Sequence, residues 1–258
     1  MNYLETYTQN RIGYIVLNRP EKRNAFNQQL VSELDQAFHQ MESDSEVRIV
    51  VLKARGDVFC AGADLEYLQQ LQNFSYDENL QDSRYLASVY QKIYELEKPV
   101  IAQVQGHAIA GGAGLATVCD FCFCVPGASF GYTEVKIGFV PAIVSFFLSK
   151  KIGEGRARSL LLQGNLISAE QALALGIVQE ICAADVLEDR VEKFALELIS
   201  TTSGESLKLT KKLISEISSA ESTHAAMDIG AQYNAQSRAT IDCKKGIAAF
   251  LNKEKINW

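Results

Sequence analysis

Two short stretches bring together residue types that could do chemistry. GHAIAGGAG, residues 106–114, is glycine and alanine around one histidine, His107, and carries no formal charge. CAGAD, residues 60–64, is a second, smaller glycine loop. Each leads into a segment of helical character. Backbone N–H groups at a helix N-terminus point outward with partial positive charge, and glycine lets another group approach because no Cβ intervenes. Two such loops could each give one N–H to the same oxygen. That geometry suits enolate chemistry: a carbonyl is polarised, then a proton is moved beside it. The alternative is that the glycines permit tight helix–strand packing, and each loop taken singly fits that reading too. GGAG lacks the GxGxxG spacing, and no acidic residue stands where a dinucleotide ribose would need it.

The elements around these loops alternate. IGYIVLN (12–18) has strand composition, and a turn with Pro20 and two asparagines follows. Leu30, Leu34, Ala37, Phe38 and Met41 then recur at helical spacing. VRIVVLKA (47–54) reads as a strand covered on both faces. Residues 55–65 read as a loop entering a helix, and 66–96 as helical. KPVIAQVQG (98–106) is extended and ends in a glycine loop; 110–119 is a helix opened by glycines; DFCFCV (120–125) is a strand. The recurrence predicts α/β layers with loops presenting chemistry at strand ends. From about 185 the chain reads as helices over 185–200, 205–218, 221–238 and 240–252, with Tyr233, Phe250 and Trp258 as outward aromatics. Such a tail packs either on another subunit or on its own core.

Composition narrows the function classes. The 258 residues are 47% hydrophobic and 22% charged, an ordinary globular mix, with a net charge of −6. That balance argues against nucleic acid as the main partner. The six cysteines read as buried, reduced thiols with no metal site. The N-terminus has no signal-peptide pattern and no apolar run is long enough to span a bilayer, so a cytoplasmic protein without membrane contact is expected.

Taken in order, NRPEKRNAFN (18–27), FCAGADL (59–65), KPVIAQVQGHAIAGGAGLATVCDFCF (98–123), FGYTEVKIGFVP (130–141), LISAEQALALGIVQEI (166–181) and GIAAFLNKEK (246–255) resemble the crotonase superfamily of enoyl-CoA hydratases and isomerases. The resemblance implies an α/β spiral of ββα repeats over 1–195 and a helical oligomerisation region over 196–258. It also implies a homo-oligomer, a trimer or a dimer of trimers. The substrate would be an acyl thioester of coenzyme A, and coenzyme A enters only as the substrate's handle, with no cofactor or metal. The thioester oxygen would sit between the N–H groups of Ala63 and Gly111. Lys22, Arg23, Ala25, Ala61 and Leu65 match the CoA-binding stretch, and Phe250 and Lys253 match residues that reach the nucleotide, commonly of a neighbouring subunit. For Lys22, Arg23 and Lys253 the alternative is solvated surface charge.

Hydratases of this superfamily typically carry two glutamates. The second maps to Glu134; the first maps to Gly114, which cannot move a proton. Gly114 is expected to open room for a larger or branched acyl group, or for a proton carrier from elsewhere. Tyr132, His107 and the acidic residues of 66–84 are candidates; Asp120 is expected to be structural. Three readings follow. GGAGLA with PAIVS (141–145) resembles bacterial 3-methylglutaconyl-CoA hydratases of leucine degradation, which implies hydration of a branched or carboxylated 2-enoyl-CoA by Glu134. A second carboxylate on that substrate would want a cation, with Arg84 a candidate. An enoyl-CoA isomerase needs only one base, Glu134. An acyl-CoA-binding protein with little catalysis is the third.

Overall fold

A hairpin starts the chain: β1 (Leu4–Gln9) runs antiparallel to β2 (Ile12–Leu17), whose six residues are all buried. The computed structural model describes residues 3–256 and 258. Helix α1 (Gln28–Ser43) follows, capped by the Asn27 side chain, which accepts from the Leu30 N–H at 2.9 Å. Its Leu30, Leu34, Ala37, Phe38 and Met41 face the core at the spacing the sequence predicts.

The chain then makes three ββα turns. The first holds β3 (Ile49–Ala54), β4 (Val58–Cys60), α2 (Leu65–Leu71) and α3 (Tyr76–Glu95). The second holds β5 (Val100–Val104), β6 (His107–Ile109) and α4 (Gly111–Val118). The third holds β7 (Phe121–Cys124), β8 (Ser129–Gly131), α5 (Ala142–Ile152) and α6 (Glu154–Gln163). Next come β9 (Leu166–Ser168), α7 (Ala169–Leu175) and β10 (Glu180–Ile181). The leading strand of each turn joins one sheet, ordered β1-β2-β3-β5-β7-β10 and parallel from β2 onward. The second strand joins the other, β4-β6-β8-β9, parallel except for β9. This is the expected α/β spiral.

Strands β2, β3, β5 and β7 of the larger sheet lie where the apolar runs predict them, whereas β1 (LETYTQ) and the two-residue β10 carry no such run. The strands of the smaller sheet do not follow such runs. Val58–Cys60 and His107–Ile109 read as loop in the sequence, yet both are strands. Three residues are too few to show a period, so only their neighbours define them. Cys119 and Cys122 have C-x-x-C spacing, and both are free, buried thiols.

The tail is helical as predicted: α8 (Leu187–Thr201), α9 (Gly204–Ile217), α10 (Thr223–Ala239) and α11 (Ile241–Asn252). Residue 195, the expected division, lies inside α8, whose buried Leu187, Val191, Ala195 and Ile199 run across it. Among the described residues no helix is long and apolar enough to cross a membrane.

Candidate active site

Register in the smaller sheet brings the three chemical stretches to one edge. Cys60 pairs with Ala108, Ala108 with Phe130, and Ile109 with Gly131. Ala63, Gly111 and Glu134 each lie three residues beyond Cys60, Ala108 and Gly131 in turn. All three therefore leave the carboxyl ends of neighbouring parallel strands, where open α/β sheets form their crevices.

The loop after β4 is held so that one amide is left over. Phe26 N–H donates to the Gly62 carbonyl at 2.7 Å, and Asp64 N–H donates to the Phe26 carbonyl at 2.8 Å. These bonds flank Ala63 in a parallel bridge, so the N–H of Ala63 faces away from Phe26. Beneath the loop lies a buried ion pair, Arg19 to Asp64 at 2.6 Å, and the same guanidinium nitrogen donates to the Ala25 carbonyl at 3.0 Å. Burial would raise the Asp64 pKa, but the Arg19 hydrogen bond, the Glu66 N–H and the Arg19 charge hold it below its usual value. Buried Asn24 donates to the carbonyls of Arg55 and Val58, each at 2.9 Å. Sequence reasoning missed Arg19, Asn24 and Asp64 as anchors. Their signal was polar residues crowded into two turns that an open loop would not need.

The loop after β6 is held from both sides. Ala110 N–H donates to the Gly131 carbonyl at 2.6 Å, and Ala110 has φ 49° and ψ −122°. A side-chain-bearing residue rarely adopts that conformation, and its cost is about 1–3 kcal/mol. It turns the chain so that α4 starts at Gly111, whose N–H has no partner inside the helix. The Tyr90 hydroxyl donates to the Gly111 carbonyl at 2.5 Å. A Cβ at Gly112 would lie 2.2 Å from the Cys60 carbonyl oxygen, so only glycine lets α4 dock on the first loop. The close-packing reading of the glycine run holds at Gly112, while Gly111 opens the helix with an amide that has no partner inside it. Cys60 is itself inert, since burial pushes its thiol pKa up to about 12.

Both loops and Glu134 line one cavity of about 570 Å³. Its remaining walls are mostly apolar, among them Leu68, Leu86, Val140 and Ile143. Glu134 opens a short 3-10 turn after β8 and is half-buried. Its Oε2 is enclosed, with no hydrogen-bond partner among the described residues. Burial raises its pKa above the usual carboxylate value, partly offset by its own backbone N–H. A carboxyl with one unpartnered oxygen, on the cavity that the Ala63 and Gly111 loops line, can exchange a proton with an atom next to a polarised carbonyl.

Ala61 and Leu65 also line the cavity. Gly114 and Tyr132 lie outside its lining. Tyr132 is 1% exposed and shares a 2.6 Å hydrogen bond with Thr117. The room expected at Gly114 is absent: a Cβ there would lie 2.1 Å from Val144 Cγ1 and 3.0 Å from Tyr90 Cε1. Val144 of the PAIVS stretch occupies that space. Arg84 and His107 are exposed and outside the lining. Asp120 accepts from the Val100 N–H and pairs with Lys211, each at 2.7 Å. Lys22 pairs with Glu66 at 2.7 Å, Arg23 is exposed at φ 51°, and Ala25 is buried in the same turn. Phe250 and Lys253 lie at the end of α11, outside the lining of this chain's cavity.

A sequence model of the enoyl-CoA hydratase/isomerase family matches residues 7–258. A Thermus thermophilus protein that carries an enoyl-CoA hydratase name is 39% identical over 242 residues, 94% of this chain and 95% of that one. The crotonyl-CoA hydratase of Syntrophomonas wolfei is 32% identical, with 96% of this chain and 94% of that one covered. The crystal structure of an enoyl-CoA hydratase from Shewanella pealeana superposes with a TM-score of 0.93 at 29% identity, covering 99% of this chain and 96% of that one.

Proposed function

Because the chain belongs to the enoyl-CoA hydratase/isomerase family, whose enzymes act on acyl-CoA thioesters, we propose that it adds water to a 2-enoyl-CoA with an uncharged, branched or medium-length acyl group. The observation that carries this reading is the shared cavity of Ala63, Gly111 and Glu134. The thioester oxygen would take the two N–H groups, which stabilise the charge that develops there. Glu134, whose pKa burial raises, would protonate C2 when it holds its proton. Lys22 and Arg23 would meet the CoA phosphates. Phe250 and Lys253 would reach the nucleotide of a neighbouring chain in a trimer or a dimer of trimers, acting in the cytoplasm. The spiral would run to about residue 195 and the oligomerisation region from there.

The likeness of GGAGLA and PAIVS to 3-methylglutaconyl-CoA hydratases supports a branched acyl group. Charge ranks the carboxylated form lower. Among the described residues lining the cavity there is no lysine, arginine or histidine, whereas Glu134 and Asp82 both face it. A second carboxylate would be desolvated there without a partner. Isomerisation is the second reading, favoured by the filled space at Gly114, which leaves α4 without a second carboxyl.

Incubating the purified protein with crotonyl-CoA, 3-methylcrotonyl-CoA, 3-methylglutaconyl-CoA and a 3-enoyl-CoA in heavy water, read by fragmentation mass spectrometry, tests this. We expect one water added to the uncharged 2-enoyl thioesters. Preference for 3-methylglutaconyl-CoA would overturn the charge argument. Double-bond migration without water addition would establish the isomerase. No change in any substrate would sink both and leave acyl-CoA binding.

A further inference from the structure

Hydration needs two proton movements. Glu134 can serve C2, but water must also lose a proton as its oxygen joins C3. Position 114 cannot supply that base, because Val144 and Tyr90 fill the space beside it. The acidic residues of segment 66–84 are Glu66, Asp77, Glu78 and Asp82. Glu66 pairs outward with Lys22, and Glu78 closes the capping box of α3 with Ser75. Of the four, only Asp82 lines the cavity.

The corner of α2 and α3 is built to hold it. Tyr67 on α2 lines the same cavity and donates its hydroxyl to Asp82 Oδ1. Asn79, one helical turn before Ser83, donates to the carbonyls of Phe74 and Ser75 at 3.1 Å each, which fixes the turn between the two helices. Asp82 is half-buried, its neighbour Ser83 also faces the cavity, and no basic side chain among the described lining residues neutralises it. A surface ion pair or a helix cap would account for a carboxylate elsewhere on these helices; Asp82 is neither.

We infer that Asp82, oriented by Tyr67, is the base that activates water in place of the carboxylate missing at position 114. This rests on the hydratase reading above. The water oxygen forms its bond to C3 while its proton passes to Asp82. The C2=C3 electron pair shifts toward the thioester, whose oxygen is held by Ala63 and Gly111 as an enolate. The enolate collapses as C2 takes the proton of neutral Glu134. One water has then added across the double bond, Asp82 is left neutral and Glu134 ionised. Exchange with solvent returns both to their starting states. The two carboxyls act from different elements, α3 and the turn after β8, instead of from α4 and that turn.

The test separates water addition from proton exchange at C2, which needs Glu134 alone. Wild type, Asp82→Asn, Tyr67→Phe and Glu134→Gln are assayed for hydration of 3-methylcrotonyl- and crotonyl-CoA, and for deuterium uptake at C2 of butyryl-CoA in heavy water. For Asp82→Asn we expect hydration kcat to fall about 10²–10³-fold, in the range of a lost general base. Its KM and its deuterium uptake should stay within about threefold of wild type. Tyr67→Phe should lower hydration kcat about tenfold with exchange unchanged, and Glu134→Gln should lose both. Hydration by Asp82→Asn within threefold of wild type overturns the assignment and leaves the hydratase reading intact. Equal loss of hydration and exchange in both Asp82→Asn and Tyr67→Phe overturns it in favour of a structural role for the corner. A wild type that adds no water to either substrate, nor to 3-methylglutaconyl-CoA, overturns the hydratase reading, and the assignment with it.

Discussion

Glu134 combines two properties that favour function over stability. Its Oε2 is enclosed without a partner, and burial raises its pKa. The folded state therefore favours the neutral carboxyl more than the unfolded chain does. Below the ordinary value of 4.5 the group is neutral whether folded or unfolded, and this residue costs nothing. As pH rises through 4.5 and then through the raised folded value, the native state must carry a charge it disfavours, and stability is lost. Glu134→Gln keeps the shape and removes the charge. We expect it to lower kcat about 10³-fold and to melt at a higher temperature than wild type at pH 8, an advantage that disappears by pH 4. Calorimetry at the two pH values checks this; an equal or lower melting temperature at pH 8 would contradict the burial argument. For wild-type hydration the sign is the same. If Glu134 gives its proton to C2 it must enter protonated, and the rate should fall as pH rises through its raised pKa. Glu134, Ala63 and Gly111, which the structure brings to one cavity, stood out in the sequence because each sits in one of the ordered motifs. Asp82 was visible only as one acid among four in a helical segment. Nothing in its spacing distinguishes it from Glu66 or Glu78; the helix corner that aims it does.

At the scale of elements, α4 and α5 are fitted to each other through Gly114 and Val144. Both residues are buried, and the valine methyl stands where a Cβ at 114 would be. GGAG and PAIVS look like separate signatures in the sequence, but sterically they form one feature. We expect Gly114→Ala to destabilise the fold by about 1–3 kcal/mol in urea unfolding, the usual cost of overpacking. Val144→Ala alone should also destabilise, by leaving a cavity. The double variant should lose less than the sum, with a coupling of about 0.5–3 kcal/mol, as for residues in contact. Strict additivity would show that the two do not share the space. The same contrast decides which strands the sequence reveals. Ile49–Ala54 and Val100–Val104 are buried throughout or nearly so, and read as nearly continuous apolar runs broken only by Lys53 and Gln103. His107–Ile109 has one exposed, one buried and one half-buried residue, followed by glycines, and reads as loop. Its strand character comes from Val58–Cys60 on one side and Ser129–Gly131 on the other. Since the smaller sheet sets the register of the loops that line the cavity, the candidate positions could be named from sequence while the reason they converge could not.

At the scale of the whole chain, the last helices leave several large apolar side chains exposed, as do the segments around 137–146 and 162–166. Ile241 and Phe250 are each 82% exposed, Leu251 is 72% exposed and Met227 67%. Monomeric proteins rarely display several large apolar side chains on adjoining helices, and their burial against further copies is the economical explanation. The cavity supplies a second reason. Among the described lining residues it holds no cation for a CoA nucleotide, and Phe250 and Lys253 sit away from it on the same chain. If these two serve a substrate, they serve a neighbour's. We therefore expect wild type to sediment as three or six chains. Phe250→Glu with Leu251→Glu should shift it toward the single chain and raise KM for an acyl-CoA at least tenfold. Because Glu134 and the two free amides come from the spiral, deuterium exchange at saturating thioester should fall far less than affinity. A wild type that sediments as one chain at assay concentration, with the same KM as the double variant, would place the whole binding site within a single copy.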